Sequence, residues 1–125
     1  MNGSKVLIDT NICVYLINGD DVLAELLQDQ NIYISVITEI ELYAYYSETS
    51  EVKTLDAFIA SITILELDHQ IKAKSIELRK KAKLKLPDTI IAASALANNL
   101  SLLSADGSFK KVDGLRLVFY EKTAT

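Results

Sequence analysis

Four acidic residues in this chain stand in apolar company. Asp9 follows Val6-Leu7-Ile8. Glu41 lies within Ile37-Thr38-Glu39-Ile40-Glu41-Leu42. Asp88 precedes Thr89-Ile90-Ile91-Ala92-Ala93, and Asp106 comes just after Ser101-Leu102-Leu103-Ser104. A lone buried carboxylate rises in pKa and gives up its charge. Several brought together repel one another unless a cation neutralises them. Mg2+ and Mn2+ are hard ions that take oxygen ligands, and Mg2+ keeps several of its waters. Such ions activate and orient a water and stabilise the leaving oxygen of a phosphodiester. Asp9, Glu41, Asp88 and Asp106 are therefore candidate catalytic groups and candidate metal ligands.

Each acid alone has a plainer reading. Asp9 could cap a helix. Asp88 could answer a helix dipole. Glu41 could be an exposed residue, and Asp106-Gly107 makes a good turn. The weight lies in the set, in this order and on these elements. No other nucleophile competes. His69, the one histidine, begins a helix and reads as surface, while Cys13 sits among apolar neighbours and reads as core. Tyr43, Tyr45 and Tyr46 could stack on bases, but read first as packing or a subunit interface.

The elements that must position these acids alternate. Val6-Leu7-Ile8 reads as a central strand, apolar on both faces. Thr10 or Asn11 can cap the helix after it, which ends at Gly19. Asp20-Asp21 cap a second helix carrying Val22, Leu23, Leu26 and Leu27. Ile32-Tyr33-Ile34 is the next strand. Ser35 and Thr38 cap a helix through about Tyr46, and Val52, Leu55, Phe58 and Ile59 mark another. Ile62–Leu65 is a third strand, and Asp68 begins a long helix. Pro87 suits the first turn of a helix from about Asp88 to Ala97, which should be deeply buried. Ser101–Ser104 is a fourth strand and Leu117–Phe119 a last short one. Strands alternating with helices imply an α/β fold with a mostly parallel sheet between helical layers. Ligands bind such sheets beyond the carboxyl ends of the strands, where strand order reverses. If the first and fourth strands are neighbours there, Asp9 and Asp106 meet.

The 125 residues suit one domain, 1–125, with a real core. No apolar run is long enough for a membrane span, and the Met1-Asn2-Gly3-Ser4-Lys5 opening does not read as a signal peptide. One cysteine excludes an internal disulfide and a cysteine-based zinc site, so a reducing, cytoplasmic setting is expected. The net charge is −4, but residues 72–85 hold seven of the 13 basic side chains and only one acid. An acidic body with one basic stripe suits a polyanionic partner, although a solvated helix face explains it as simply.

The motifs resemble those of the PIN domain family, and within it the VapC-like toxins of toxin–antitoxin pairs. Val6-Leu7-Ile8-Asp9-Thr10-Asn11 looks like the opening motif. Ile34–Leu42 is similar to the second, where the acid precedes a leucine, which picks Glu41 over Glu39. Leu86-Pro87-Asp88-Thr89-Ile90-Ile91-Ala92-Ala93 is very close to the third. Leu103-Ser104-Ala105-Asp106-Gly107-Ser108-Phe109 is similar to the fourth, with serine where threonine is common, and Gly114-Leu115 follows. The resemblance covers nearly the whole chain. It implies a three-layer α/β/α fold, a Mg2+- or Mn2+-dependent endoribonuclease, a homodimer, and a cognate antitoxin that blocks the site. Spacing alone leaves Glu39 and Glu41 open, since residues two apart point about 200° apart on a helix. The rivals are a catalytically silent binding module of the same fold and, less well fitting, a phosphatase-like domain with an Asp nucleophile.

Overall fold

The structure, a computed structural model, describes residues 4–122. The expectation about the opening Met1-Asn2-Gly3 lies outside the described residues. Five strands form one sheet in the order β3-β2-β1-β4-β5. They are β1 (Lys5–Ile8), β2 (Asn31–Ser35), β3 (Thr63–Leu65), β4 (Ser101–Ser104) and β5 (Leu117–Phe119). All four pairings are parallel. The helices are α1 (Thr10–Ile17), α2 (Asp21–Leu26), α3 (Val36–Tyr45), α4 (Thr49–Ala60), α5 (His69–Lys81) and α6 (Leu86–Ala97), with a 3-10 turn over Gly107–Lys111.

Successive residues of a strand point to opposite faces, and this alternation divides the core in two. Leu7 and Leu102 turn to one face, where α5, α6 and the 3-10 turn cover them through Ile71, Leu78, Ile91, Ala92 and Phe109. Val6, Ile8, Ile34 and Leu103 turn to the other, under Ile12, Cys13, Leu23, Leu42 and Leu55 of the first four helices. The result is a three-layer α/β/α fold. Each fully buried aliphatic side chain contributes about 1.5–3 kcal/mol. In α6 the residues from Thr89 to Ala95 are all buried; the two polar ones, Thr89 and Ser94, donate their hydroxyls to the carbonyls of Lys85 and Ile90.

The chain builds β1, β2 and β3 outward in one direction. It then returns across the sheet to lay β4 on the free side of β1. The strand order therefore reverses between β1 and β4, where Ile8 stands opposite Leu103. The next residues on these two strands are Asp9 and Ser104.

Several element ends differ from the sequence expectation. Asp9 caps α1, not Thr10 or Asn11; its carboxylate accepts an N–H deeper in the helix than a residue already inside the first turn can reach. Ser35 caps α3, whereas Thr38 lies within that helix, fully buried. Helix α6 begins at Leu86, which places Pro87 in its first turn. Asp20 and Asp68 cap α2 and α5 as expected, each carboxylate accepting the N–H three residues on, at 3.0 and 2.8 Å.

Candidate active site

The site begins with Asp9, which is 5% exposed. Its Oδ1 accepts the Ile12 N–H at 3.1 Å, one of the donors a helix start leaves free. Its Oδ2 accepts the hydroxyl of Ser104, at the end of β4. Capping and membership of the acidic cluster are thus not alternatives: one oxygen serves the helix and the other faces β4. The Ser104 oxygen in turn accepts the Asp106 N–H at 2.9 Å. Asp106 caps the 3-10 turn, its Oδ1 accepting the Ser108 N–H at 2.9 Å.

Helix α3 brings the third acid. Its Ser35 cap accepts the Ile37 N–H at 3.0 Å, and Thr38 and Leu42 turn inward. That rotation sets Glu41 beside α1, where Thr10 Oγ1 donates to its Oε1 and lies 3.2 Å from Thr38 Oγ1. Glu39 falls on a different side of the helix. Its charge bears on Tyr43, whose hydroxyl donates to Asp56 and whose pKa that bond pushes up to about 12. Asp88 is supplied by the first turn of α6 and is half-buried.

All four acids line one open cleft of about 360 Å³, together with Thr10, Asn11, Val14, Tyr45 and Ile91. Glu39 does not line it. Burial raises the pKa of Asp9, and the charges of Asp106 and Asp88 push it further; the bonds from Ser104 and Ile12 work against the rise. Burial likewise raises Asp88, with Asp106 and Glu41 adding to it and Lys85 opposing. None of the ion pairs among the described residues involves any of the four acids. No three acidic, histidine or cysteine side chains among those residues form a ready-made metal cage. The donors are all oxygens: four carboxylates, with the hydroxyls of Thr10 and Ser104 behind them. Such a set suits a hard divalent ion that keeps part of its water shell.

A second groove, about 210 Å³, opens near the amino ends of β1 and β4. It is lined by Val6, Leu26, Leu27, Leu103 and Val118, and no acid reaches it. Part of the basic stripe is spoken for. Glu77 pairs with Lys74 at 2.8 Å and with Lys81 at 3.5 Å. Lys85 remains beside Asp88. The three tyrosines separate: Tyr46 is core, Tyr43 holds Asp56, and Tyr45 stands in the cleft, 67% exposed. The sequence offered Tyr43, Tyr45 and Tyr46 together as possible stacking residues and did not single out Tyr45 as lining the cleft. The signal was its place four residues after Glu41, on the same helix face.

The model of the PIN domain family matches residues 6–115. The chain belongs to the PIN domain family. The comparison with curated proteins gives no match. Among solved structures, this PIN domain is similar to a chain of a toxin–antitoxin complex from Klebsiella pneumoniae, with 29% identity and a TM-score of 0.82 over 94% of this chain and 99% of that one. It is similar to the same extent, at 28% identity, TM-score 0.82 and the same coverage, to a chain of VapBC2 from Rickettsia felis bound to a DNA fragment from its promoter. A chain of the DNA-bound VapBC from Salmonella typhimurium is 25% identical, with a TM-score of 0.74 over 95% of this chain and 98% of that one.

Proposed function

We propose that this PIN domain is a Mg2+- or Mn2+-dependent endoribonuclease and the toxin of a toxin–antitoxin pair. The observation that carries the reading is the gathering of Asp9, Glu41, Asp88 and Asp106 on one open cleft, with no ion pair to any of them among the described residues. Burial first, and then the charges of neighbouring acids, raises the Asp9 and Asp88 carboxyls, and a divalent cation would favour their charged forms. The four acids would hold it directly or through water. When bound, the ion supplies a Lewis acid that makes a water nucleophilic and offsets charge on the phosphodiester.

The chain's own residues do the rest. Ser104 fixes one Asp9 oxygen and Ile12 the other, so the carboxylate cannot swing. Thr10 holds Glu41 from the facing helix. Orienting partners of this kind typically change metal affinity or activity 10- to 100-fold when removed. Lys85 and the unpaired lysines of the basic stripe draw phosphates toward an otherwise acidic protein, by an attraction that weakens with salt. The solved VapBC and toxin–antitoxin complexes support the toxin role. A cognate antitoxin over the cleft, a homodimer and action in the cytoplasm complete the proposal. No helix among the described residues is long and apolar enough to cross a membrane.

The test is cleavage of a mixed RNA pool in Mn2+, with EDTA and Asp9→Asn as controls. Cleavage lost in both controls is expected, with Asp9→Asn still folded. Melting is followed in parallel, because an ion at one hundred times its Kd stabilises the folded state by about 2.7 kcal/mol. Full activity in Asp9→Asn removes the assignment. No cleavage and no Mn2+ shift favour the catalytically silent binding module.

A further inference from the structure

Tyr45 presents a large ring to solvent inside the acidic cleft. It is 67% exposed, in a molecule whose neighbouring Tyr46 is 5% exposed. Glu41 and Tyr45 are four residues apart on α3, so their Cβ atoms stand about 5–6 Å apart on one helix face. The ring is steadied from one side. Its centroid lies 4.9 Å from that of Tyr46, with the planes at 83°. An edge-to-face contact of this kind leaves at least one face of Tyr45 free. Asn11 and Val14 line the same cleft.

The charge of the cleft makes this ring important. Four carboxylates repel a polyanion, and the charge of Lys85 offsets this only in part at Asp88. A nucleobase is neutral, and every base has a face that stacks on an aromatic ring. In a duplex those faces are already stacked on their neighbours; only an unpaired strand offers them.

We infer that Tyr45 is a stacking platform that holds a nucleobase beside the scissile phosphate. The inference rests on the ribonuclease reading and adds a substrate-positioning residue to it. Base–aromatic stacking lost on truncation weakens binding roughly 5- to 150-fold per base. Tyr45 is a binding and positioning residue: its effect falls on substrate affinity and KM, while the carboxylates govern kcat. Its contribution is also independent of salt, unlike that of the lysines.

The experiment measures binding of a short mixed-sequence single-stranded RNA in Ca2+, over times too short for cleavage. Tyr45→Ala should weaken binding at least about 5-fold, by the same factor at low and high salt, and Tyr45→Phe should restore it. The chain has no tryptophan, so Tyr45→Trp places a single indole in the cleft. Its fluorescence should be quenched by the single strand and not by duplex RNA of the same sequence. Equal affinity of Tyr45→Ala and wild type, or equal quenching by the duplex, overturns the inference. So does a change in oligomeric mass of Tyr45→Ala with unchanged RNA affinity, which assigns the ring to a subunit interface. Cleavage in Mn2+ is scored separately. Tyr45-dependent binding without any cleavage sinks the ribonuclease reading and leaves the platform standing. Cleavage with Tyr45-independent affinity does the reverse.

Discussion

Ser104 Oγ donates to Asp9 Oδ2 across 95 positions of sequence, and the same oxygen accepts the Asp106 N–H at 2.9 Å. One fully buried hydroxyl thus ties the end of β1 to the end of β4 and aims two acids into one cleft. Ser104→Ala leaves a buried carboxylate oxygen and a backbone N–H without that partner. The expected loss is about 1–3 kcal/mol in denaturant unfolding, together with a weaker divalent-metal requirement curve shifted to higher concentration. Ser104→Thr keeps the hydroxyl and should keep the metal curve. A Ser104→Ala protein with wild-type stability and metal dependence would show that the bridge carries no weight.

Stability in the absence of metal should depend on pH with a definite sign. Burial, then the Asp106 and Glu41 charges, hold the Asp88 carboxyl above its ordinary 3.8. Between the unfolded and folded values the folded chain binds the extra proton. Stability therefore falls as pH rises through that window and stays lower above it. Asp88→Asn removes this share. In EDTA its melting temperature should exceed that of wild type at pH 7, and the gap should close toward pH 4. A variant that melts lower than wild type at neutral pH contradicts a penalty from burial and neighbouring charge on this carboxylate.

Glu39 and Glu41 provide an internal comparison. Glu41→Gln should reduce RNA cleavage by more than the roughly 10- to 100-fold typical of an outer partner. Glu39→Gln, whose parent side chain does not line the cleft, should stay within about twofold of wild type, as changes away from a site do. Single-turnover rates in saturating Mn2+ decide it. The opposite ranking would transfer the ligand role to Glu39.

Tyr46 buries its hydroxyl with no hydrogen-bond partner among the described residues. An unsatisfied buried group of this kind costs about 1–3 kcal/mol. Tyr46→Phe keeps the ring against Tyr45 and sheds that cost. Its urea midpoint should rise with an unchanged slope. A lower midpoint would mean that the hydroxyl is satisfied in solution.

Much of this was legible in the chain itself. The acids stand out as a set, each beside apolar residues, in an order that matches the family's motifs. Alternating strand and helix patterns lead to the α/β layers, since one face or stripe of every element must be buried. The apolar run after Pro87 requires a covered helix, and α6 is one. Periodicity could not choose between Glu39 and Glu41, because both fit a helix; the resemblance of Glu41-Leu42 to the second motif pointed to Glu41. The rotation of α3, set by the Ser35 cap and the burial of Thr38 and Leu42, puts Glu41 and not Glu39 on the cleft.

The sequence by itself determined which acids stand beside the core elements and the order in which they arrive. Only the tertiary structure decided that β4 returns to lie beside β1. Hydrogen bonding between strands is blind to sequence separation, so no local pattern records that pairing. From it follow the Asp9–Ser104 bond and the double duty of Asp9 as cap and cleft acid. The exposure of Tyr45 beside Glu41 came from packing too: the neighbours that bury Tyr46 leave the ring before it in the open.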